Sequence, residues 1–327
     1  MHTEVMEFFG LARSFNQAAF LETAHSKKLI HNIKLAIQNG GIIALTGMVG
    51  SGKTTLLRKI QAQLIEEKQV VVTRSLSTDK RRVMIATLYT ALFLDLAKEK
   101  NFQIPTQPEK KERKLLELIK KHDKPIVLFI DEAHDLSNQT LISLKRLMEL
   151  TYDSGNTLAV VMAGHPKLDN DLKRSSMEEV GARAQVFSLS NSIESNGHYC
   201  EWLLKQCCKD IKPYEVITQE ALALLVSSLV TPLQINHYLT QALEKAYTAA
   251  CKPVSIDIIQ ATLAPDINDL ESKLARNGYG LSALCDALNA RPSEIKTYLR
   301  GQLTSSKVQE FNQEVRKLGI IPFIINK

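Results

Sequence analysis

Gly47-Met48-Val49-Gly50-Ser51-Gly52-Lys53-Thr54 follows an apolar run, Ile42-Ile43-Ala44-Leu45-Thr46, and leads into a helix-like segment that reaches Glu67. The eight residues fit G-x-x-x-x-G-K-[ST]. In that pattern glycines let successive backbone N–H groups converge on phosphate oxygens, the lysine supplies a point charge for the β and γ phosphates, and the hydroxyl reaches Mg²⁺. A helix opening at Lys53 adds its N-terminal dipole to the same anion site. Strand, loop and helix in this order predict a phosphate-binding loop built from Gly47, Met48, Val49, Gly50, Ser51, Gly52, Lys53, Thr54 and Thr55.

Further along the chain, Pro125-Ile126-Val127-Leu128-Phe129-Ile130 runs apolar without alternation and ends in Asp131-Glu132. Such a run suits a central parallel strand covered on both faces. Ligands of open α/β sheets bind beyond the C-terminal ends of the strands, which places Asp131 to hold Mg²⁺ and Glu132 to polarise an attacking water. An acidic turn after a core strand would read the same way without the loop at Gly47; together the two signals point to a nucleoside triphosphatase site.

The remaining punctuation organises the chain around these motifs. A lead-in helix (HSKKLIHNIKLAIQNG) ends at Gly40-Gly41, with Phe8-Phe9-Gly10-Leu11 ahead of it expected to pack on the core. Residues 69–74 read as a second strand, and a long helix runs from Arg82 to about Leu96. Pro105 and Pro108 mark a crossing before a further helix. After the Asp131 strand comes a helix with Leu141, Leu144, Leu147 and Met148 on one face, then the strand Thr157 to Gly164, and later a short strand, Gln185 to Leu189. Strands alternating with helices predict a three-layer α/β fold with a mostly parallel sheet.

His165 ends the strand at Gly164, where either a γ-phosphate sensor or a local turn partner would sit, and Arg183, just before the short strand, can complete a neighbouring subunit's site. Net charge is +6 with a pI near 8.9, a mild excess that permits an anionic partner. Local clusters matter more: Lys80-Arg81-Arg82, Lys110 to Lys114, Lys145-Arg146 and Lys173-Arg174. The first is the best placed to touch a phosphate backbone, and an exposed helix start explains it equally well.

Five cysteines, Cys200, Cys207, Cys208, Cys251 and Cys285, lack paired C-x-x-C spacing, and reduced thiols are expected. His198, Cys200 and Cys207 lie in a helix-like stretch with Trp202 and Leu203, a pattern of core packing more than of zinc binding. Neither a signal-peptide pattern nor an apolar run of membrane-spanning length of about twenty residues occurs, so a cytoplasmic protein without a membrane partner is expected. Near the C-terminus, residues 281–301 have the look of a helix-turn-helix. Leu284, Leu288, Ile295 and Leu299 would form a small core, Asn289 would take a left-handed turn, and Lys296, Thr297 and Arg300 would face outward for DNA or a protein partner.

Taken together, E-V-M-E-F-F-G-L, A-L-T-G-M-V-G-S-G-K-T-T-L-L-R, V-L-F-I-D-E-A-H-D-L, M-A-G-H-P-K-L, the Arg183 segment and T-P-L-Q-I-N-H-Y-L-T-Q-A-L-E-K-A resemble the AAA+ ATPases. Within them the chain is similar to the transposon target-selection group (the phage Mu B protein, TnsC, TniB and IstB) and to the secretion-associated ExeA ATPase. The resemblance covers roughly residues 5–265. It implies a P-loop AAA+ core over residues 1–190, a helical lid over 191–265 and a small C-terminal all-α, helix-turn-helix-like domain over 266–327.

By the same resemblance, Lys53 and Thr54 bind ATP and Mg²⁺, Asp131 is the Walker B metal ligand, Glu132 the catalytic base, His165 sensor 1 and Arg183 the arginine finger. Where related lids carry a sensor arginine this chain has Gln234, which implies a weaker grip on the γ-phosphate and slow hydrolysis. The implied function is an ATPase that forms homo-oligomers, rings or helical filaments, on duplex DNA without sequence preference and presents it to a transposase. Lys80, Arg81, Arg82, Lys296 and Arg300 are the candidate DNA contacts. A secretion or envelope ATPase and a signalling NTPase are the alternatives.

Overall fold

The structure is a computed structural model of the 327-residue chain, and it describes residues 1–74, 84–97, 103–189, 196–209, 211–263, 274, 279–300 and 302–318. Two compact units divide the chain: residues 22–192, and residues 1–21 together with 193–327. Helix α1 (Thr3–Phe9) belongs to the latter.

The unit of residues 22–192 is built on five strands: β1 (Gly41–Thr46), β2 (Val71–Arg74), β3 (Ile126–Ile130), β4 (Leu158–Gly164) and β5 (Ala184–Ser188). They form a sheet in the order β2-β3-β4-β1-β5, with every neighbouring pair parallel. Every residue of β3 and β4, and all of β1 but Gly41, is buried. That is why these segments are apolar without alternation: covered on both faces, neither set of side chains meets water. The edge strands β2 and β5 are partly exposed and correspondingly mixed in composition.

Period-two geometry assigns the layers. Ile42, Ala44, Leu128, Ile130, Val160 and Met162 share a core with residues of α4 (Ile85–Leu96), α5 (Pro108–Lys120) and α6 (Asn138–Asp153), including Leu92, Phe93, Ile119, Leu144 and Leu147. The intervening residues Ile43, Leu45, Val127, Phe129, Ala159 and Val161 point to the opposite face. There α2 (Ala24–Asn39) lies against β1 and β4, and α3 (Lys53–Glu67) against β2 and β4. The result is a three-layer α/β fold with a fully parallel sheet. Each buried leucine or isoleucine contributes roughly 1.5–3 kcal/mol relative to an exposed one, so the two covered faces dominate the stability of this unit.

One element starts later than its sequence pattern suggests. Met84 is extended and caps α4, so the helix runs from Ile85 and not from Arg82; Lys80, Arg81 and Arg82 lie outside the described residues. Between β4 and β5, α7 (Lys167–Leu172) and α8 (Glu178–Gly181) make a tight pair.

In the other unit, α1 packs with α9 (Asn196–Cys207), α10 (Pro213–Val216), α11 (Gln219–Ser228), α12 (Pro232–Thr248) and α13 (Ile256–Leu263). Phe9, Leu11 and Phe15 are buried among Leu203, Leu239 and Leu243, so the lead-in segment 1–21 belongs with these helices. Cys200 and Cys207 are core residues here. Burial pushes the Cys200 thiol up to about 12, a protonated, packing thiol and not a metal-ready thiolate. All five cysteines are free, and the described residues contain no group of three or more His, Cys, Asp or Glu side chains placed to hold a metal.

The C-terminal helices α14 (Leu281–Leu288), α15 (Pro292–Leu299) and α16 (Ser305–Lys317) have their own core of Leu284, Leu288, Ile295, Tyr298, Val308, Phe311 and Val315. Asn289 takes the left-handed conformation (φ 45°, ψ 47°) that ends α14, and Pro292 opens α15. Tyr298, not Leu299, is the fully buried residue at the end of α15; its hydroxyl donates to Asn312 Oδ1 at 2.7 Å, which satisfies a polar tip inside an apolar centre.

The α7–α8 pair has no room at its contact. A methyl group on Gly181 would lie 2.1 Å from the carbonyl oxygen of Leu172, a backbone atom that cannot rotate away. Gly181→Ala is therefore expected to destabilise the protein by about 1–3 kcal/mol, read as a lowered urea midpoint at unchanged m-value; an unchanged midpoint would show that the two helices separate freely.

Candidate functional site

The parallel register brings the strand ends together. Thr46 at the end of β1 pairs with Gly164 at the end of β4, and Ile130 at the end of β3 pairs with Met162. The Gly47 N–H continues this ladder by donating to the Gly164 carbonyl at 3.2 Å. Because β4 lies between β1 and β3, the residues that follow these three strands, Gly47 onward, Asp131-Glu132 and His165, converge on one edge.

The loop from Gly47 to Gly52 turns on two glycines with left-handed backbone, Gly50 (φ 81°) and Gly52 (φ 95°), the latter the cap of α3. A side chain at either would strain the turn. The loop is compact enough that a methyl group on Gly47 would meet Ser51 Oγ at 2.7 Å. Within this turn Ser51 Oγ is buried without a hydrogen-bond partner, a polar atom placed where an anion's oxygens would meet it. Met48 is half-buried, Val49 and Thr55 are exposed.

Lys53 is buried in the loop's concavity, where its ammonium donates to the carbonyls of Gly47 (2.8 Å) and Met48 (2.9 Å). Burial lowers its pKa, opposed by the nearby carboxylates of Glu132 and Asp131. A desolvated cation whose direct hydrogen bonds go to carbonyl oxygens is a strong attractor of phosphate. Beside it, the Thr54 hydroxyl donates to Asp131 Oδ2 at 2.8 Å. These two oxygens, one from α3 and one from the end of β3, are hard donors of the kind that bind Mg²⁺. The glycine-turned loop with its backbone N–H groups, the unpartnered serine, the ammonium and the paired oxygens thus fit a nucleotide phosphate chain with its metal.

Asp131 also organises its neighbour: its Oδ1 accepts the Glu132 N–H at 2.9 Å. Glu132 adopts left-handed backbone (φ 53°) and is exposed, with its carboxylate 3.3 Å from His134 Nδ1. His165 is half-buried; burial lowers its pKa, with His134, Lys53 and Lys167 reinforcing the shift, which favours a neutral imidazole. Its ring lies 6.2 Å from that of His134.

Arg183 and Gln234 have partners of their own. Arg183 precedes β5 at the end opposite Ser188, the residue that pairs with Thr46, so it is remote from the loop of its own chain. It is half-exposed and ion-paired with Glu149 of α6, which also pairs with Lys145. Gln234 lies in the other compact unit, where its Oε1 accepts the N–H groups of Val230 (2.9 Å) and Thr231 (3.2 Å) in a capping box at the start of α12. In this arrangement its carbonyl oxygen serves the backbone of its own helix.

Two of the basic clusters, Lys145-Arg146 and Lys173-Arg174, are neutralised. Lys145 pairs with Glu179 at 2.6 Å, Arg146 with Glu112, Lys173 with Asp169 and Arg174 with Asp171. On α15 and its cap, Lys296 and Arg300 are exposed. Glu149 and His134 are contacts that sequence reasoning passed over. The i, i+4 spacing of Lys145 and Glu149 was a readable signal for one; nothing local announced that His134 would meet both Glu132 and the β4 end.

Comparison with known proteins agrees with this geometry. Residues 36–172 match the family model described as AAA domain. General secretion pathway protein A of Aeromonas hydrophila is 28% identical over 191 residues, which are 54% of this chain and 33% of that protein, so the match spans a third of the relative's length. Among solved structures, Cdc6p of Pyrobaculum aerophilum aligns over 98% of this chain and 86% of its own at 14% identity, with a TM-score of 0.54. Drosophila ORC bound to DNA aligns over 97% of this chain and 83% of its own at 16% identity, also with a TM-score of 0.54. Phosphate loop, parallel sheet and flanking helices together give this chain the three-layer α/β P-loop fold of the AAA domains.

Proposed function

We propose that the chain is an ATPase that binds ATP with Mg²⁺, assembles with copies of itself on duplex DNA and serves transposition by selecting target DNA and recruiting or stimulating a transposase. The observation that carries the nucleotide half is the 2.8 Å contact between Thr54 and Asp131 beside a buried Lys53, a set of groups already converged on one point. The DNA half is supported by the C-terminal three-helix module, with Lys296 and Arg300 exposed on and just after its middle helix, and by the resemblance to the transposon target-selection ATPases.

In this reading the loop N–H groups and Ser51 take the phosphates, and Lys53 exchanges its two carbonyl partners for phosphate oxygens. Thr54 and Asp131 would hold Mg²⁺, which when bound neutralises charge building on the β and γ phosphates. Glu132 orients the attacking water and accepts its proton. His165, held toward neutrality, donates to or senses the γ-phosphate. Arg183 acts on the site of a neighbouring subunit, which requires that it exchange Glu149 for phosphate oxygen on assembly. Gln234, engaged in its helix cap, adds little direct grip, consistent with slow turnover. Among the described residues no helix is long and apolar enough to cross a membrane, and we place the protein in the cytoplasm. The likeness to General secretion pathway protein A keeps a secretion ATPase as the second reading.

Nucleotide binding is expected to stabilise the fold by about 2.7 kcal/mol at a hundredfold excess over Kd, a gain that Lys53→Ala should abolish in a thermal-shift titration. Glu132→Gln should trap ATP-bound assemblies that Lys53→Ala cannot form; equal assembly by the two variants, measured by light scattering, contradicts their assigned roles. Arg183→Ala should keep nucleotide affinity while turnover falls on the order of 10³-fold or more, and a normal rate removes it as the finger.

The two readings separate on DNA. Fluorescence anisotropy of a labelled random-sequence duplex should show cooperative binding with ATP or a non-hydrolysable analogue but not with ADP, weakening steeply with salt as phosphate contacts are lost. No binding under any of the three conditions, with the thermal shift intact, favours the secretion reading.

A further inference from the structure

His134 stands where the two functional strand ends meet, and one of its atoms is asked to do two incompatible things. Its Nδ1 lies 3.3 Å from the Glu132 carboxylate, an acceptor, and 3.4 Å from the backbone nitrogen of His165, a donor. A ring nitrogen carries either a proton or a lone pair, so it serves one neighbour at a time. With Nδ1 protonated, it donates to Glu132 and the His165 N–H loses its acceptor. With Nδ1 unprotonated, it accepts from His165 and presents its lone pair to the carboxylate, which is then repelled.

The backbone around the ring is closely packed. A methyl group on Gly164, the last residue of β4, would lie 3.1 Å from the His134 backbone nitrogen, so the β4 end and the His134 backbone are in close packing. Glu132 is fixed in left-handed backbone with its N–H on Asp131, which leaves its side chain as the movable part. Asp135 lies 3.9 Å from His134 Nε2, on the far side of the ring.

We infer that His134 is a positioning residue: by alternating its Nδ1 between Glu132 and the His165 N–H, it ties the orientation of the Glu132 carboxylate to the conformation of the β4 end. The inference rests on the reading of Glu132 as the water-activating base. A movement of the His165 turn, such as engagement of the γ-phosphate would cause, changes which partner Nδ1 has and so where the carboxylate points. The site then carries its own link between sensing and water activation, running from the His165 turn through His134 to Glu132.

The test uses the 327-residue chain with three variants. His134→Phe keeps the ring volume and removes both hydrogen bonds, while His134→Asn keeps a polar group near the Nδ1 position. If His134 positions Glu132, Phe lowers kcat about 10- to 100-fold, the range for groups that orient a functional side chain, with KM for ATP nearly unchanged, and Asn restores most of the rate. An unchanged kcat in the Phe variant, or equal losses in Phe and Asn, overturns the inference.

A second readout does not depend on turnover. In ¹⁵N-histidine-labelled protein the Nδ1 resonance of His134 should move between its lone-pair-bearing and proton-bearing positions when a non-hydrolysable ATP analogue with Mg²⁺ is added. Glu132→Ala should leave Nδ1 in the lone-pair form in both states. The same Nδ1 form with and without analogue, in protein shown by thermal shift to bind it, refutes the link; absence of any thermal shift refutes the nucleotide reading instead.

Discussion

The chemistry of this protein depends on the register of three parallel strands. β1, β4 and β3 lie side by side with their C-terminal ends nearly level, so that Gly47, Asp131 and His165 emerge at one edge although they are scattered over the sequence. A shift of one residue would turn every buried side chain of the slipped strand to the opposite face. Burial of the strands on both faces thus fixes the site as well as the core: the same apolar contacts that exclude water decide where the phosphate loop and the carboxylates stand.

Against that rigid frame the site contains groups that are only partly satisfied. Lys53 gives up hydration for two carbonyl contacts, and its lowered pKa records that these, with Asp131 and Glu132 nearby, do not fully replace water. Ser51 Oγ has no partner at all. Glu132 sits in a backbone conformation that costs a non-glycine residue on the order of 1 kcal/mol. Residual strain and unmet polarity gathered at one edge of an otherwise well-packed sheet mark a place shaped for something other than its own stability.

Much of this was legible in the sequence because the signals are local. Apolar runs of strand length flanked by glycine or acidic residues identified β1, β3 and β4, and the glycine spacing identified the loop. What was not legible depends on partners distant in the chain. The pairing of Lys145 with Glu179 and of Arg183 with Glu149 joins residues more than thirty positions apart, so clusters that read as basic surface are in fact neutralised. Gln234 was read as a substitute for a sensor, yet the Thr231-to-Gln234 spacing is also that of a capping box, and its carbonyl oxygen follows the local geometry. Helix α16 escaped notice because its polar composition hides three apolar residues, Val308, Phe311 and Val315, at helical spacing.

The cysteines of the helical unit also have a bearing on handling and labelling. Thiolates, not thiols, attack alkylating and oxidising agents, and burial holds Cys200, Cys207 and Cys208 in their protonated forms while Cys251 is exposed. Reagent reactivity is therefore ordered along the chain: Cys251 offers a handle for a fluorophore on the surface of this unit, and modification of the three shielded sulfurs becomes a gauge of how often its core opens.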